Sequence, residues 1–244
     1  MSCAAPTSDR SGRSGAARRA RAAEILAALK ARYPDARCEL NWTTPHELLA
    51  ATILSAQSTD VAVNKATPAL FARFPHPRDY AAATPEEVEP FIRTLGLFRS
   101  KAKHLVECMR SIEDRFGGEV PRRMEDLLTL QGVARKTANV VLGNAFGINE
   151  GIVVDTHVQR LSRRFRLTTK EDPVAIERDL MALFPREDWC LLSHLLIFHG
   201  RRACKARGNR CSEDPICARY CSEAAPRATK RAPASQRPRR GPSR

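Results

Sequence analysis

The chain has 244 residues, 43% hydrophobic and only 6% aromatic, with 41 Lys and Arg against 27 Asp and Glu for a net charge of +14. That length supports a real core in one or two domains. No apolar run approaches the roughly 18 to 20 residues that cross a bilayer, and the Ala/Arg-rich N-terminus lacks the apolar segment of a secretory signal, which argues against a membrane protein and a signal-bearing secreted one.

The charge is unevenly placed. Residues 1–22 carry a net +4 and residues 224–244 a net +7, which leaves only +3 for residues 23–223. Bulk charge therefore supports attraction to polyanions, and specific recognition has to come from local constellations. Residues 1–17 are rich in Ser, Gly and Ala, and residues 224–244 consist largely of Pro, Arg, Ala and Ser. Neither segment buries enough apolar surface to offset its ordering entropy, so both are expected to be disordered. The C-terminal one reads either as a non-specific DNA-tethering arm or as a solvated tail.

Between the tails the hydrophobic period is helical nearly throughout. A first helix is expected near 18–32. Thr44-Pro45-His46-Glu47 supplies an N-cap, a Pro at the first helical position and a Glu at the third, followed by Leu48, Leu49, Ile53 and Leu54. A run over 60–74 comes next. Thr84-Pro85-Glu86-Glu87 then repeats the start signal ahead of Val88, Phe91, Ile92 and Leu95, with Gly96 as the stop. Another helix runs from near Ser100 to the Gly117-Gly118 break, and further runs cover 135–146, 156–165, 173–184 and 187 to about 203. Strand signals are almost absent. Nine or ten short helices joined by short loops make the fold class all-α.

Residues 127–138 place a short helix, a turn containing Gly132, and a second helix in quick succession. The first amides of a helix have no intrahelical partner and sit at its positive dipole end, so such a hairpin can hold a backbone phosphate; many αα-hairpins, however, use Gly only to close the loop. Lys136 falls in the first turn of the second helix beside Arg135. The helix end and the guanidinium both disfavour an ammonium there, which eases formation of a nucleophilic amine able to form a Schiff base. On position alone, an ordinary phosphate-binding lysine is the better reading. Asp155 follows the apolar run Ile152-Val153-Val154 and precedes Thr156-His157, which suits an N-cap and a partly buried carboxylate at once.

Four of the eight cysteines, Cys204, Cys211, Cys217 and Cys221, fall within 18 residues among Lys205, Arg207 and Arg210, whereas Cys3, Cys38, Cys108 and Cys190 are scattered. Clustered thiols beside cations suggest a metal site, and the scattered ones read as packed hydrophobes or free thiols. The six histidines show no spacing that would build a zinc nuclease centre.

Residues 127–138 resemble the helix-hairpin-helix of the endonuclease III family of DNA glycosylases, whose motif runs Leu-Pro-Gly-Val-Gly-Arg-Lys-Thr-Ala. Further family blocks follow in family order: Leu54-Ser55-Ala56-Gln57-Ser58-Thr59-Asp60, Val63-Asn64-Lys65, Gly96-Leu97-Phe98 with Ser100-Lys101-Ala102, Gly118-Glu119-Val120-Pro121, Val154-Asp155-Thr156-His157-Val158 and His199-Gly200. The resemblance spans about 20–221. It implies a two-lobed helix-hairpin-helix fold with an iron–sulfur cluster loop: an N-terminal helix at 18–38, a six-helix lobe at 39–146, and the rest of the cluster lobe at 147–223.

It also implies a monomeric base-excision-repair enzyme, cytoplasmic or in the nucleoid if bacterial. Such an enzyme acts on double-stranded DNA holding damaged pyrimidines or abasic sites, with Lys136 as nucleophile and Asp155 as its catalytic carboxylate. Gln57 and Leu97 match the family's inserting positions, although alone they read as a helix C-cap and a core residue. Gly132, Ala134, Arg135, Thr137 and His157 would meet DNA, as would Lys205, Arg207 and Arg210 of the cluster loop.

Three departures accompany the resemblance. Gln131 stands where the family has Pro. Ala134 stands where it has a second Gly, at a cost of about 1 kcal/mol if that residue needs a positive φ. The cysteines read C-x6-C-x5-C-x3-C in place of C-x6-C-x2-C-x5-C, with Asp214 at the usual third ligand position. A [4Fe-4S] cluster remains the expected cofactor, with tetrahedral zinc or a degenerate site as the other readings. A monofunctional mismatch glycosylase of the same superfamily is the neighbouring alternative, disfavoured because Lys136 is present and because the chain is expected to end in a tail without a further domain. A non-catalytic DNA-binding module is the other, and it gives no reason for Asp155 to accompany Lys136.

Overall fold

The computed structural model describes residues 10–207 and 211–223. Among them the chain is helical and strand-free. In order the helices are α1 (Arg10–Arg32), α2 (Pro45–Leu54), α3 (Asp60–Arg73), α4 (Pro77–Ala82), α5 (Pro85–Ile92) and α6 (Phe98–Phe116). Then come α7 (Met124–Leu127), α8 (Arg135–Ala145), α9 (Thr156–Arg164), α10 (Pro173–Met181), α11 (Trp189–Arg202) and α12 (Pro215–Tyr220), with a 3-10 turn at Arg186–Asp188. None is long and apolar enough to cross a membrane.

The start signals act as the sequence suggests. Glu47 reaches back to the Thr43 and Thr44 amides at 2.6 and 3.1 Å, and the Thr84 amide donates to Glu87 at 2.8 Å. Each bond satisfies a donor that the helix itself leaves unpaired. Gly117, at φ 62°, ends α6 and lets the Gly118 amide reach back to the Ile112 carbonyl. Two helices escaped the sequence reading. α4 uses the same Pro-at-N1 device, with His76 as the cap residue and Asp79 bonding its amide at 2.8 Å. α12 starts on Asp214 and Pro215, a position read only as a departure from a ligand pattern. The first helix begins at Arg10, ahead of the boundary expected near residue 18, so residues 10–17 of the segment expected to be disordered are helical. Residues 1–9 and 224–244 lie outside the described residues.

Two hydrophobic cores organise the helices. One gathers α2, α3, α5, α6 and α8 around Leu48, Leu54, Leu105, Met109 and Val141. The other joins α1 to α9, α10 and α11 through Ile25, Leu29, Leu161, Phe165 and Leu195, and takes in all four clustered cysteines. Polar ties bridge the cores. Arg135 and Asn139 of α8 bond Glu177 of α10, Arg201 of α11 pairs with Glu39 and Asp60, and His194 of α11 bonds Asn144 of α8.

Candidate active site and DNA interface

The hairpin turn is pinned from below by Leu130 and Val133, 3% and 8% exposed, while Gln131 and Gly132 face out. Gly132 sits at φ 77°, and a Cβ there would lie 3.2 Å from the His104 Cβ, so both backbone and space call for glycine. Ala134 differs from expectation. Its φ of −97° and ψ of 170° are extended backbone, so the alanine carries no left-handed strain. It occupies the N-cap of α8 with no side chain to accept a bond. The first intrahelical bond is Ala138 N–H to the Ala134 carbonyl at 3.0 Å. The amides of Arg135, Lys136 and Thr137 therefore precede the ladder, at the positive end of the helix, where an anion can be received.

Lys136 projects from this turn as an exposed side chain. Arg135 beside it is committed elsewhere. Its Nε and Nη2 grip the Glu177 carboxylate at 3.0 to 3.2 Å, and Nη2 also donates to the Glu150 carbonyl. The carboxylate compensates the guanidinium charge that was expected to bear on Lys136. Asp155 caps α9, its Oδ1 accepting from the His157 and Val158 amides, both at 2.8 Å. Among the described residues Oδ2 has no protein donor. Lys136 and Asp155, held on different cores, line one open cavity of about 740 Å³ together with Ser58, Asp60, His157 and Arg201. Both also border a smaller adjoining cavity reaching Cys38, Cys190 and His194.

His157 lies at the rim, its ring nitrogen 3.1 Å from Arg160 Nη2. Burial, reinforced by the Arg160 and Arg201 charges against the opposing Asp155, holds its pKa below the usual histidine range. Gln57 and Leu97 stand on two adjacent turns. Both are left-handed, at φ 53° and 58°, and Leu97 is 60% exposed. This removes the reading of Leu97 as core, and Ser55 rather than Gln57 is the C-cap of α2. Among the described residues only Arg166 shares such a conformation without being glycine. A non-glycine residue in this region is strained and persists only where surroundings enforce it.

The four cysteine thiols of the C-terminal loop converge, all buried. Cys211 Sγ lies 4.0 Å from Cys204 Sγ and 3.9 Å from Cys221 Sγ. Cys217 sits on α12, whose cap Asp214 accepts from the Ile216 and Cys217 amides. Asp214 thus starts the helix that delivers Cys217, which explains how a shifted spacing still brings in a fourth sulfur. Hydrogen bonds from the Cys217 and Cys221 thiols, with Arg164 Nη1 3.2 Å from the sulfur, depress the Cys204 pKa strongly; burial and the neighbouring thiolate push Cys211 up to about 12. A cation at the centre would turn all four into thiolates. The donor set, soft and closed off from solvent, suits a thiolate-bound metal centre. His199 Nε2 lies 3.2 Å from Cys217 Sγ, and Tyr33 Oη holds its other ring nitrogen at 2.9 Å. Lys205 and Arg207 are exposed on the loop, and Arg210 lies outside the described residues.

Glu177, Arg164 and Arg201 were not singled out from sequence, and Lys101 entered only within the Ser100-Lys101-Ala102 block with no role of its own. Each acquires its role from a partner on another element.

A family model described as HhH-GPD superfamily base excision DNA repair protein matches residues 50–186. The chain is 55% identical to the Endonuclease III of Synechocystis sp. over 198 residues, 81% of this chain and 90% of that protein. Solved structures that it resembles include a non-covalent Endonuclease III–DNA complex and a trapped Endonuclease III–DNA covalent intermediate, the estranged-adenine complex. Each has a TM-score of 0.80 and 41% identity, and the match covers 84% of this chain and 96% of theirs.

Proposed function

Because the chain belongs to the endonuclease III family of base-excision-repair glycosylases with AP lyase activity, we propose that it excises oxidised pyrimidines from double-stranded DNA and nicks abasic sites through a Schiff base on Lys136. The observation that carries this reading is the meeting of Lys136 and Asp155, one from each core, on a single open cavity. The damaged nucleotide is turned out of the duplex into that cavity. The neutral Lys136 amine attacks C1′, the bond from C1′ to the base breaks, and the base leaves with a proton from solvent. Opening of the sugar ring gives the protonated imine, loss of a C2′ proton follows, and β-elimination expels the 3′ phosphate.

Asp155 is arranged for two tasks. Its Oδ1 caps α9, while Oδ2 faces the reaction, stabilising positive charge that develops on the deoxyribose or taking the lysine proton. Gln57 and Leu97 fill the gap left in the stack, Leu97 in the manner of an apolar wedge. The open amides of Arg135, Lys136 and Thr137, with Gly132 and Ala134 at the turn and His157 across the cleft, take the backbone phosphates.

The four cysteines would hold a [4Fe-4S] cluster, in keeping with the family and with four buried sulfurs flanked by Arg164 and His199. Its contribution is structural: it would fix the loop carrying Lys205, Arg207 and Arg210 against DNA. The enzyme would work as a monomer, in the cytoplasm or nucleoid if the source is bacterial. The test uses thymine-glycol and abasic-site duplexes with wild type and Lys136→Ala. Nicking of both by wild type, with a borohydride-trapped adduct absent from the variant, is expected. Persistent trapping in Lys136→Ala would place the nucleophile elsewhere.

A further inference from the structure

Lys101 is a charged residue with no place in the reaction above. It is 4% exposed, and no carboxylate pairs with it among the described residues. Burial alone lowers its pKa. An unpaired buried cation is unfavourable, and core residues of α6 such as Leu105 do without one. Its position suggests what offsets that cost. The Lys101 amide bonds the Leu97 carbonyl at 3.0 Å, so its side chain leaves from the turn that presents Leu97. Its Nζ donates to Ser58 Oγ at 2.8 Å, on the residue that follows Gln57. The two turns run close together, since a Cβ added at Gly96 would lie 3.9 Å from the Gln57 carbonyl. Gln57 and Leu97 both hold left-handed backbone that nothing in their own side chains favours.

Resting on the reading of Gln57 and Leu97 as the inserted residues, we propose that Lys101 is a positioning residue that locks the two turns in register, so that both side chains enter the duplex together when a paired lesion is extruded. A residue acting this way matters most where extrusion is costly. It matters less where the lesion is already unstacked or has no base.

The experiment compares wild type, Lys101→Met, Ser58→Ala, Leu97→Ala and the Leu97→Ala/Lys101→Met double variant. Single-turnover excision is measured on thymine glycol paired with adenine, on the same lesion in a mismatch, and on abasic-site nicking; 2-aminopurine fluorescence beside the lesion reports extrusion directly. Lys101→Met should lose about tenfold on the paired lesion, with a matching loss of fluorescence, and less than about threefold on the mismatch and the abasic site. Ser58→Ala, which keeps the buried lysine and deletes only its acceptor, should move the same way by a smaller factor and carries the test if Lys101→Met does not fold. In the Leu97→Ala background Lys101→Met should add little.

Equal losses on all substrates would make Lys101 merely structural and overturn the inference. So would an impaired Leu97→Ala beside unimpaired Lys101→Met and Ser58→Ala. A Leu97→Ala variant active at the wild-type rate on the paired lesion would remove the insertion reading and this inference with it.

Discussion

Replacing Arg135 with Met isolates the tie between the hairpin helix and the opposite core. Glu177 is 7% exposed and accepts from Arg135 Nε and Nη2 and from Asn139 Nδ2, the last at 3.0 Å. Methionine leaves that carboxylate without its cation. Breaking a fully buried pair costs about 3 to 5 kcal/mol, but the Arg135 side chain is 43% exposed and water can reach the vacated place, so about 2 to 3 kcal/mol is expected. For a chain of this size that lowers Tm by about 5 to 10 °C. Glu177→Gln keeps an acceptor for Asn139 and frees a half-exposed guanidinium, for a loss of about 1 kcal/mol. The double variant removes both charges and should be more stable than Arg135→Met alone by about 1 kcal/mol. Urea and thermal unfolding of the four proteins complete the cycle. A loss below about 0.5 kcal/mol in Arg135→Met, or a double variant less stable than Arg135→Met, would refute the compensated-charge argument.

Four further outcomes are expected. Burial lowers the His194 pKa to about 4, so on acidification the unfolded chain takes up a proton near pH 6.5 that the folded chain refuses until about pH 4. Stability present at neutral pH is therefore lost across that window, by about 1.4 kcal/mol at pH 5.5; His194→Gln should flatten the urea-midpoint profile there, and an unchanged slope counts against the assignment. Gly132→Ala, forced into φ 77° and against His104, should cost about 1 to 2 kcal/mol and weaken abasic-DNA binding, both readable by thermal shift and anisotropy. Ala134→Gly should stay within about 0.5 kcal/mol of wild type, because the N-cap gain of glycine opposes its greater unfolded-state freedom at an unstrained site; a clear stabilisation would revive the strained-alanine idea. Cys217→Ser should strip bound metal from anaerobically purified protein, measured as iron, sulfide and zinc per chain, whereas full metal retention would remove Cys217 from the ligand set.

Much of this molecule is local and therefore legible in one dimension. The capping pairs Thr44–Glu47 and Thr84–Glu87, the apolar stripes of the long helices, the glycine stop at Gly117 and the hairpin around Gly132 each depend on residues a few positions apart, so composition and spacing suffice to place them. The clustering of four cysteines likewise announces a metal centre. Asp155 at the start of a helix could be read as a cap from its neighbours, and the structure places it there.

What the sequence did not decide depends on distance along the chain. The extended backbone at Ala134, which cancels its expected strain, follows from how Leu130 and Val133 seat the turn. The diversion of Arg135 to Glu177 links residues 42 apart, and the tie from Lys101 to Ser58 links residues 43 apart. The role of Asp214 as a cap that delivers Cys217 becomes visible only once α12 exists. Local propensity and periodicity specify which segments become helix, because those energies are set within a turn or two. Which charges are compensated, which carboxylate oxygen stays free and which turns meet are set when the two cores close on each other, and only the tertiary structure supplies that.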